Sequence, residues 1–167
     1  MTCQDLFINI MKKRILFSGL GGGLDIINAS LLYFAASSEG AKVVLGSIRP
    51  APLDRIKSHK QFEDCGAWVN GGSTIDYGKG IGIARYCEPK VAEFLGEDVL
   101  FLTRKYKDKN DVPRLISAIN KAREECLIDE MIFVDGGGDS LTFTTGDAAG
   151  TSENNSDVFA GGDSISL

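Results

Sequence analysis

Two apolar runs in this chain each end in a glycine-rich turn that carries an aspartate. They read FSGLGGGLD at residues 17–25 and FVDGGGDS at residues 133–140. Each apolar run predicts a buried strand, and each glycine triplet lets the backbone take positive φ and approach a ligand closely. Two such turns after two strands of one small domain predict a single polar site with two walls.

Strand and helix patterns alternate along the chain between these two turns. Short apolar runs predict strands at residues 14–18, 42–46, 99–102 and 131–134. Three helices are predicted. The first ends before Gly40 and has apolar residues at helical spacing, namely Leu24, Ile27, Leu31, Leu32 and Ala35. The second runs from Pro89 to Gly96, and the third begins at Asp111 and Pro113 and has a core face of Leu115, Ile119, Ala122 and Cys126. This alternation predicts an α/β sheet with helices on both faces, in which the first two strands are parallel.

Composition divides the chain into three parts. We assign residues 1–13 to an N-terminal extension, residues 14–141 to the α/β domain and residues 142–167 to a polar tail rich in Gly, Asp and Ser. The tail has three interpretations: a mobile end, a loop that closes on the site, or the point at which the chain stops partway through a larger domain. Within the domain, the glycine-rich residues 71–82 are a candidate lid.

Charge and cysteine content exclude several classes of function. The net charge is −5 and no basic face stands out, which argues against nucleic acid as the main partner. No apolar run predicts a membrane-spanning helix or a signal peptide. The four cysteines lack CxxC spacing and there is one histidine, so we expect free thiols, no zinc site and a cytoplasmic location.

The first glycine turn departs from the phosphate-binding motifs that it most resembles. Gly19 and Gly21 match two positions of the dinucleotide fingerprint, but Leu24 occupies the third. No acidic residue ends the second strand, and Arg49, which offers a contact to a 2′-phosphate, does not restore the fingerprint. No Gly-Lys-Ser/Thr follows, which excludes a Walker loop. The ligand-binding candidates in this turn are Gly19, Gly21, Gly22 and Gly23.

The aspartates beside the two turns each have a structural and a functional interpretation. Asp25 lies in the first turn of a predicted helix, where it either stabilises the helix terminus or holds a hydroxyl, an amine or a hydrated Mg²⁺. Asp135 and Asp139 either initiate turns and cap a helix, or form a wall that binds hydroxyl groups or a hard cation. The candidate catalytic residues are Asp25, Asp135 and Asp139, the candidate Mg²⁺ ligands are Asp135 and Asp139, and the further ligand-binding candidates are Gly136, Gly137, Gly138 and Ser140.

Whether the two turns meet depends on the order of the strands in the sheet. In an order of third, second, first, fourth, the first and fourth strands are neighbours at a topological switch point, and both turns face one crevice. In an order of second, first, third, fourth, another strand separates them. The sequence leaves both orders open.

Four blocks of sequence resemble a known family. They are GLGGGLD at residues 19–25, VVLG at 43–46, the segment 88–96 and VDGGGDS at 134–140. Their order and spacing are similar to those of a largely prokaryotic α/β family catalogued as domain of unknown function 1152, which usually has a Gly-Gly-Gly-Gly-Asp stretch and a later Asp-x-Gly-Gly-Asp stretch. The resemblance covers most of residues 14–141, and Leu20 and Leu24 depart from the first stretch. Members of that family are longer, so the resemblance implies a truncated member or an altered C-terminus.

Pattern and resemblance together predict the fold class, whereas the reaction stays open. We expect a three-layer, Rossmann-like α/β fold with a mainly parallel sheet of about four to six strands. One hypothesis is an enzyme or binding protein for a small nucleotide-like, phosphorylated or hydroxylated metabolite, with Mg²⁺ as a candidate cofactor and one aspartate as general base. The other is a non-catalytic protein with a vestigial pocket that works through self-assembly, such as a homodimer, or through partner binding.

Overall fold

The computed structural model describes residues 13–21, 25–49, 53–76, 86–103 and 111–135. Its elements are β1 (Arg14–Leu20), α1 (Asp25–Ser38), β2 (Lys42–Arg49), a 3₁₀ turn (Leu53–Arg55), β3 (Ile56–Lys57), β4 (Lys60–Glu63), β5 (Gly66–Val69), β6 (Thr74–Ile75), α2 (Glu88–Leu95), β7 (Val99–Thr103), α3 (Asp111–Glu125) and β8 (Glu130–Val134). Each strand and helix predicted from the sequence is present. The prediction of an α/β fold is therefore confirmed.

Six of the strands form one mainly parallel sheet in the order β4-β5-β7-β2-β1-β8. Strands β7, β2, β1 and β8 are mutually parallel, whereas β5 and β4 add antiparallel pairs at one side. Strands β3 and β6 form a separate two-stranded sheet. The four strands predicted from the sequence therefore follow the order third, second, first, fourth, and β1 and β8 are direct neighbours.

Alternate residues along β1 pack into two different hydrophobic clusters, as the two-residue period of a strand requires. Ile15 and Phe17 share a cluster with residues of α1 and α2, whereas Leu16 and Leu20 share a cluster with residues of α3. The first cluster contains Ile26, Ala29 and Tyr33 of α1 together with Val91 and Ala92 of α2. The second contains Leu115, Ala118, Ile119 and Ala122 of α3. Of the core face predicted for α3, Leu115, Ile119 and Ala122 are thus buried, and Cys126, just after the helix, packs half-buried against the same cluster.

Helix α1 buries a different face from the one that its apolar spacing indicated. Leu31 is 64% exposed and Leu32 is 43% exposed, whereas Ile26, Ala29 and Tyr33 are buried. The helix is apolar on almost every side, so its spacing does not select one face. The first turn of α1 lies directly against β1 at Gly19, and Ile26, Ala29 and Tyr33 face the sheet.

Glycines end two of the helices in the left-handed conformation that favours this residue. Gly40 has φ of 86° after α1, and Gly96 has φ of 69° after α2. The N–H of Gly96 donates to the carbonyl of Ala92 at 2.9 Å, which pairs a carbonyl of the last helical turn. Both helix ends had been predicted at these glycines.

None of the helices in the five described ranges is both long and apolar enough to cross a lipid bilayer.

Candidate functional site

At Gly19 the backbone of the first turn of helix α1 lies directly against strand β1. A Cβ atom at this position would lie 2.5 Å from the backbone nitrogen of Ile26 and 2.6 Å from the carbonyl carbon of Asp25. Only a residue without a side chain permits this approach, because backbone atoms cannot yield as a flexible side chain can. Gly19, predicted as a ligand-binding residue, therefore has a structural role: it sets the first turn of α1 directly against the end of β1.

The next predicted glycine, Gly21, holds the end of β1 against β2. Its φ is 123°, a conformation that residues with a Cβ rarely adopt. Its N–H donates to the carbonyl of Ile48 at 2.8 Å, one residue beyond the paired stretch of β1. Gly21 is thus held at a fixed position near the carboxyl end of β2.

Asp25 begins α1 and is 6% exposed. Because Asp25 is the first helical residue and its backbone packs on Gly19, its carboxylate lies at the carboxyl end of β1, in the positive field of the helix N-terminus. Asp25 also has an interaction partner within the protein. Burial with a partner at a helix N-terminus is compatible with both interpretations of this aspartate, a structural one and a ligand-binding one.

Asp135 immediately follows β8, at the same edge of the sheet. Gly19 is paired with Val134 in the parallel register of β1 and β8, so a continuation of this register by one residue places Asp135 opposite Leu20. Neighbouring strands lie about 4.8 Å apart. Asp135 is partly buried and has an interaction partner. The start of the second glycine–aspartate turn is therefore next to the start of the first.

A buried polar cluster lies at the carboxyl end of β2, beside this edge. Glu88, the first residue of α2, is 0% exposed and Arg49, the last residue of β2, is 5% exposed. Arg49 Nη1 donates to Glu88 Oε1 at 3.0 Å and to Oε2 at 3.3 Å, and Ser47 Oγ donates to Oε1 at 2.8 Å. The Arg49 guanidinium also lies 4.7 Å from the centre of the Tyr86 ring, a cation–π contact. We call Ser47, Arg49, Tyr86 and Glu88 the Arg49 cluster.

Burial and charge around the Arg49 cluster change the ionisation of two neighbouring groups. Burial raises the pKa of the Tyr86 hydroxyl, with the positive charge of Arg49 opposing the rise. Burial, and then the negative charge of Glu88, raise the pKa of the Cys87 thiol. Both groups are thus held in their neutral forms around the ion pair.

Comparison with known proteins identifies the family. A model of the family described as Protein of unknown function (DUF1152) matches residues 16–150, which include both glycine–aspartate turns. This chain belongs to the DUF1152 family. The resemblance inferred from the four sequence blocks is thereby confirmed. A comparison with curated proteins and with solved structures produced no match.

The structure describes four of the site residues that the sequence of this DUF1152 chain predicted. It brings Gly19, Gly21 and Asp25 together at the carboxyl end of β1 and places Asp135 after the neighbouring strand β8. The other predicted site residues lie outside the described residues; they are Gly22, Gly23, Gly136, Gly137, Gly138, Asp139 and Ser140. Among the side chains that are described, no three His, Cys, Asp or Glu residues gather in an arrangement that could hold a metal ion.

The sequence of the DUF1152 domain does not predict the Arg49 cluster; it offers Arg49 alone, as a contact for a 2′-phosphate. The available signals were an arginine at the end of the apolar run of β2 and a glutamate directly before Pro89 at a helix start. Either signal alone fits a solvated residue. Their pairing depends on β7 and α2 returning the chain beside β2, which the sequence did not reveal.

Proposed function

We propose that this DUF1152 protein binds a small nucleotide-like, phosphorylated or hydroxylated metabolite in the crevice at the carboxyl ends of β1 and β8. The observation that carries the proposal is the strand order β7-β2-β1-β8. In an open α/β sheet, the crevice outside the carboxyl ends of neighbouring strands at a switch point is the usual ligand site. From β1 the chain adds β2 and then β7 on one side, and it later returns to add β8 on the other side of β1. The direction in which strands are added therefore reverses between β1 and β8.

In this proposal the glycine turns supply backbone and the aspartates supply charge. The backbone of Gly21, Gly22 and Gly23 approaches the ligand, with Gly136–Gly138 and Ser140 on the other wall. Asp25, Asp135 and Asp139 bind hydroxyl groups of the ligand, or Asp135 and Asp139 bind Mg²⁺, which suits carboxylates combined with water. A carboxylate that accepts a proton from a bound hydroxyl would act as general base.

A three-layer arrangement and a cytoplasmic location also belong to the proposal. The two hydrophobic clusters, one with α1 and α2 and one with α3, support a three-layer arrangement with helices on both faces of the sheet. The free thiols of Cys87 and Cys126 support the cytoplasm as the compartment, because thiols persist there in reduced form.

Thermal unfolding of the purified chain tests the proposal with nucleotides, sugar phosphates and nicotinamide cofactors, each with and without Mg²⁺. A ligand at about 100 times its dissociation constant stabilises the native state by about 2.7 kcal/mol. We expect at least one compound to raise Tm, and Asp135→Asn to abolish the rise. Asp98→Asn is the matched control, because the exposed Asp98 precedes β7 at the opposite edge of the sheet. A cooperative transition that no compound moves would contradict the proposal.

A second candidate function, assembly through an apolar surface, is favoured by a separate observation. The outer sides of α1 and α2 expose large apolar side chains, of which Leu31 is 64% and Phe94 is 79% exposed. The rings of Phe34 and Phe94 meet edge to face with centroids 6.0 Å apart, which joins the two helices into one patch. Sedimentation equilibrium tests this candidate: a homodimer that Phe94→Ser dissociates would support it, and a monomer at high concentration would contradict it.

A further inference from the structure

We infer that Arg49 is an oxyanion subsite of the crevice, which receives an oxygen of a phosphate or carboxylate group through its Nε–H. The inference deepens the proposed function and rests on it, since the oxyanion is taken to be part of the metabolite bound at β1 and β8. It names a residue and a ligand chemistry that the glycine–aspartate turns do not specify.

The first observation is an unpaired donor in a buried place. Arg49 Nε is buried and has no hydrogen-bond partner among the residues that the structure describes. Buried polar groups in folded proteins are almost always paired, because an unpaired donor loses its bonds to water without replacement. Arg14 Nε shares this state among the described residues, but Arg14 begins β1 and so lies at the opposite edge of the sheet. Of the two, Arg49 is the one at the edge where ligands bind.

The second observation concerns the guanidinium nitrogen that donates to Glu88. Glu88 accepts both of its hydrogen bonds from Arg49 through Nη1. The side edge of a guanidinium, formed by Nε and Nη2, is the edge that fits two oxygens of a carboxylate or phosphate group. The ion pair with Glu88 therefore engages Arg49 without engaging its Nε–H.

The third observation is that the guanidinium is held in one orientation. Glu88 fixes Nη1, and Glu88 is itself held by the hydroxyl of Ser47 at 2.8 Å. Tyr86 stacks against the guanidinium at 4.7 Å and in turn stacks on Phe101, with ring centroids 6.3 Å apart. A donor that is already oriented loses little conformational entropy when a ligand binds.

The fourth observation is where the subsite lies. Arg49 ends β2, and the preceding carbonyl, that of Ile48, accepts the N–H of Gly21. The N-termini of α1 and α2, at Asp25 and Glu88, lie on the same side of the sheet because both helices pack into one cluster with β1. An oxygen on Arg49 would therefore lie near Gly21, at the end of the sheet where α1 and α2 begin.

The test is an NMR titration of the uniformly ¹⁵N-labelled full chain, in which the side-chain Nε–H resonances of the arginines are followed. The Arg49 resonance is assigned through its nuclear Overhauser effect to the Tyr86 ring. Inorganic phosphate and acetate are added in separate titrations, and a sodium chloride titration of the same ionic strength is the reference. Comparison of the first two shows whether phosphate or carboxylate is the preferred oxyanion. We expect a saturable shift of the Arg49 resonance with at least one of them. A resonance that moves no more than it does with chloride overturns the inference.

Arg49→Lys keeps the positive charge for Glu88 but removes the Nε side edge, so we expect phosphate or acetate binding to weaken at least about tenfold. Arg114→Lys, on α3 and 46% exposed, is the matched control and is expected to leave binding unchanged. Binding that persists in Arg49→Lys overturns the inference. If that variant does not fold, the wild-type titration decides alone.

The two proposals fail in different ways. If a metabolite raises Tm through Asp135 and does so equally in wild type and Arg49→Lys, the oxyanion subsite is wrong and the crevice proposal stands. If phosphate shifts the Arg49 resonance but no metabolite raises Tm, Arg49 binds oxyanions and the proposed metabolite function is wrong.

Discussion

Glu88→Gln tests how much the buried ion pair of the Arg49 cluster contributes to stability. Glutamine keeps the size of the side chain and an oxygen that can accept from Ser47 and Arg49, but it removes the negative charge. The charge of Arg49, which is 5% exposed, is then buried without compensation. Breaking a buried pair in this way costs about 3–5 kcal/mol, and the retained hydrogen bonds favour the lower end. At about 2–4 °C per kcal/mol, a loss of about 3 kcal/mol lowers Tm by about 6–12 °C.

Urea unfolding followed by far-UV circular dichroism gives the change in the free energy of unfolding and in the m-value. Glu93→Gln is the control on the same helix, because Glu93 is 57% exposed and pairs with Lys90 at 2.6 Å. Such an exposed pair contributes at most about 1 kcal/mol. The double variant Arg49→Met/Glu88→Leu is expected to recover most of the stability lost in Glu88→Gln, since it leaves no unpaired charge. A Glu88→Gln variant as stable as Glu93→Gln, with an unchanged m-value, would refute the reasoning.

Three further predictions concern packing and ionisation. Gly19→Ala is expected to lower the free energy of unfolding in urea by about 2–3 kcal/mol, because the new Cβ would meet backbone atoms. Gly72→Ala is the control: its Cβ would meet only a side-chain oxygen at 3.2 Å, so the expected change is about 0.5 kcal/mol or less. Burial, and then its hydrogen bond to Glu97, raise the pKa of Tyr33 to about 12 from 10.0, so its contribution to stability is fully present below pH 10 and is lost as the pH rises towards 12. The free energy of unfolding in urea should therefore fall less between pH 9 and pH 11 for Tyr33→Phe than for wild type. Equal falls would contradict the raised pKa of Tyr33. Because burial raises its pKa, Cys87 should be alkylated by iodoacetamide at pH 8 more slowly than free cysteine, as measured by peptide mass spectrometry; an equal rate would show that the thiol is accessible and unperturbed.

Local sequence signals were enough to predict the main elements of the fold. The alternation of apolar runs and helical patterns predicted the four parallel strands, and Gly40 and Gly96 predicted two helix ends, because the left-handed conformation is a local requirement for glycine. The sequence does not predict β4, which is a short strand at the end of the sheet with two of its four side chains exposed. Its pairing comes from the neighbouring strand rather than from its own composition.

The parts that sequence reasoning missed depend on contacts between distant segments. The buried face of α1 is selected by the contact of its first turn with Gly19, which no spacing of apolar residues encodes. The Arg49 cluster joins residues 39 and 41 positions apart in the chain. The strand order that brings Asp135 beside β1 was open at the level of sequence and is determined by how β8 returns to the sheet.

The pairing of β8 with β1 also sets the order in which this protein becomes able to act. Strands β1 and β2 and the helix between them are contiguous and need only a short loop closure, whereas the backbone N–H of Arg14 meets its partner Asp129 across 115 positions of the chain. During synthesis on a ribosome, β1 remains an open sheet edge until β8 has emerged. Any ligand that requires both walls of the crevice would therefore bind only to chains in which β8 has paired with β1, and its binding would report that pairing.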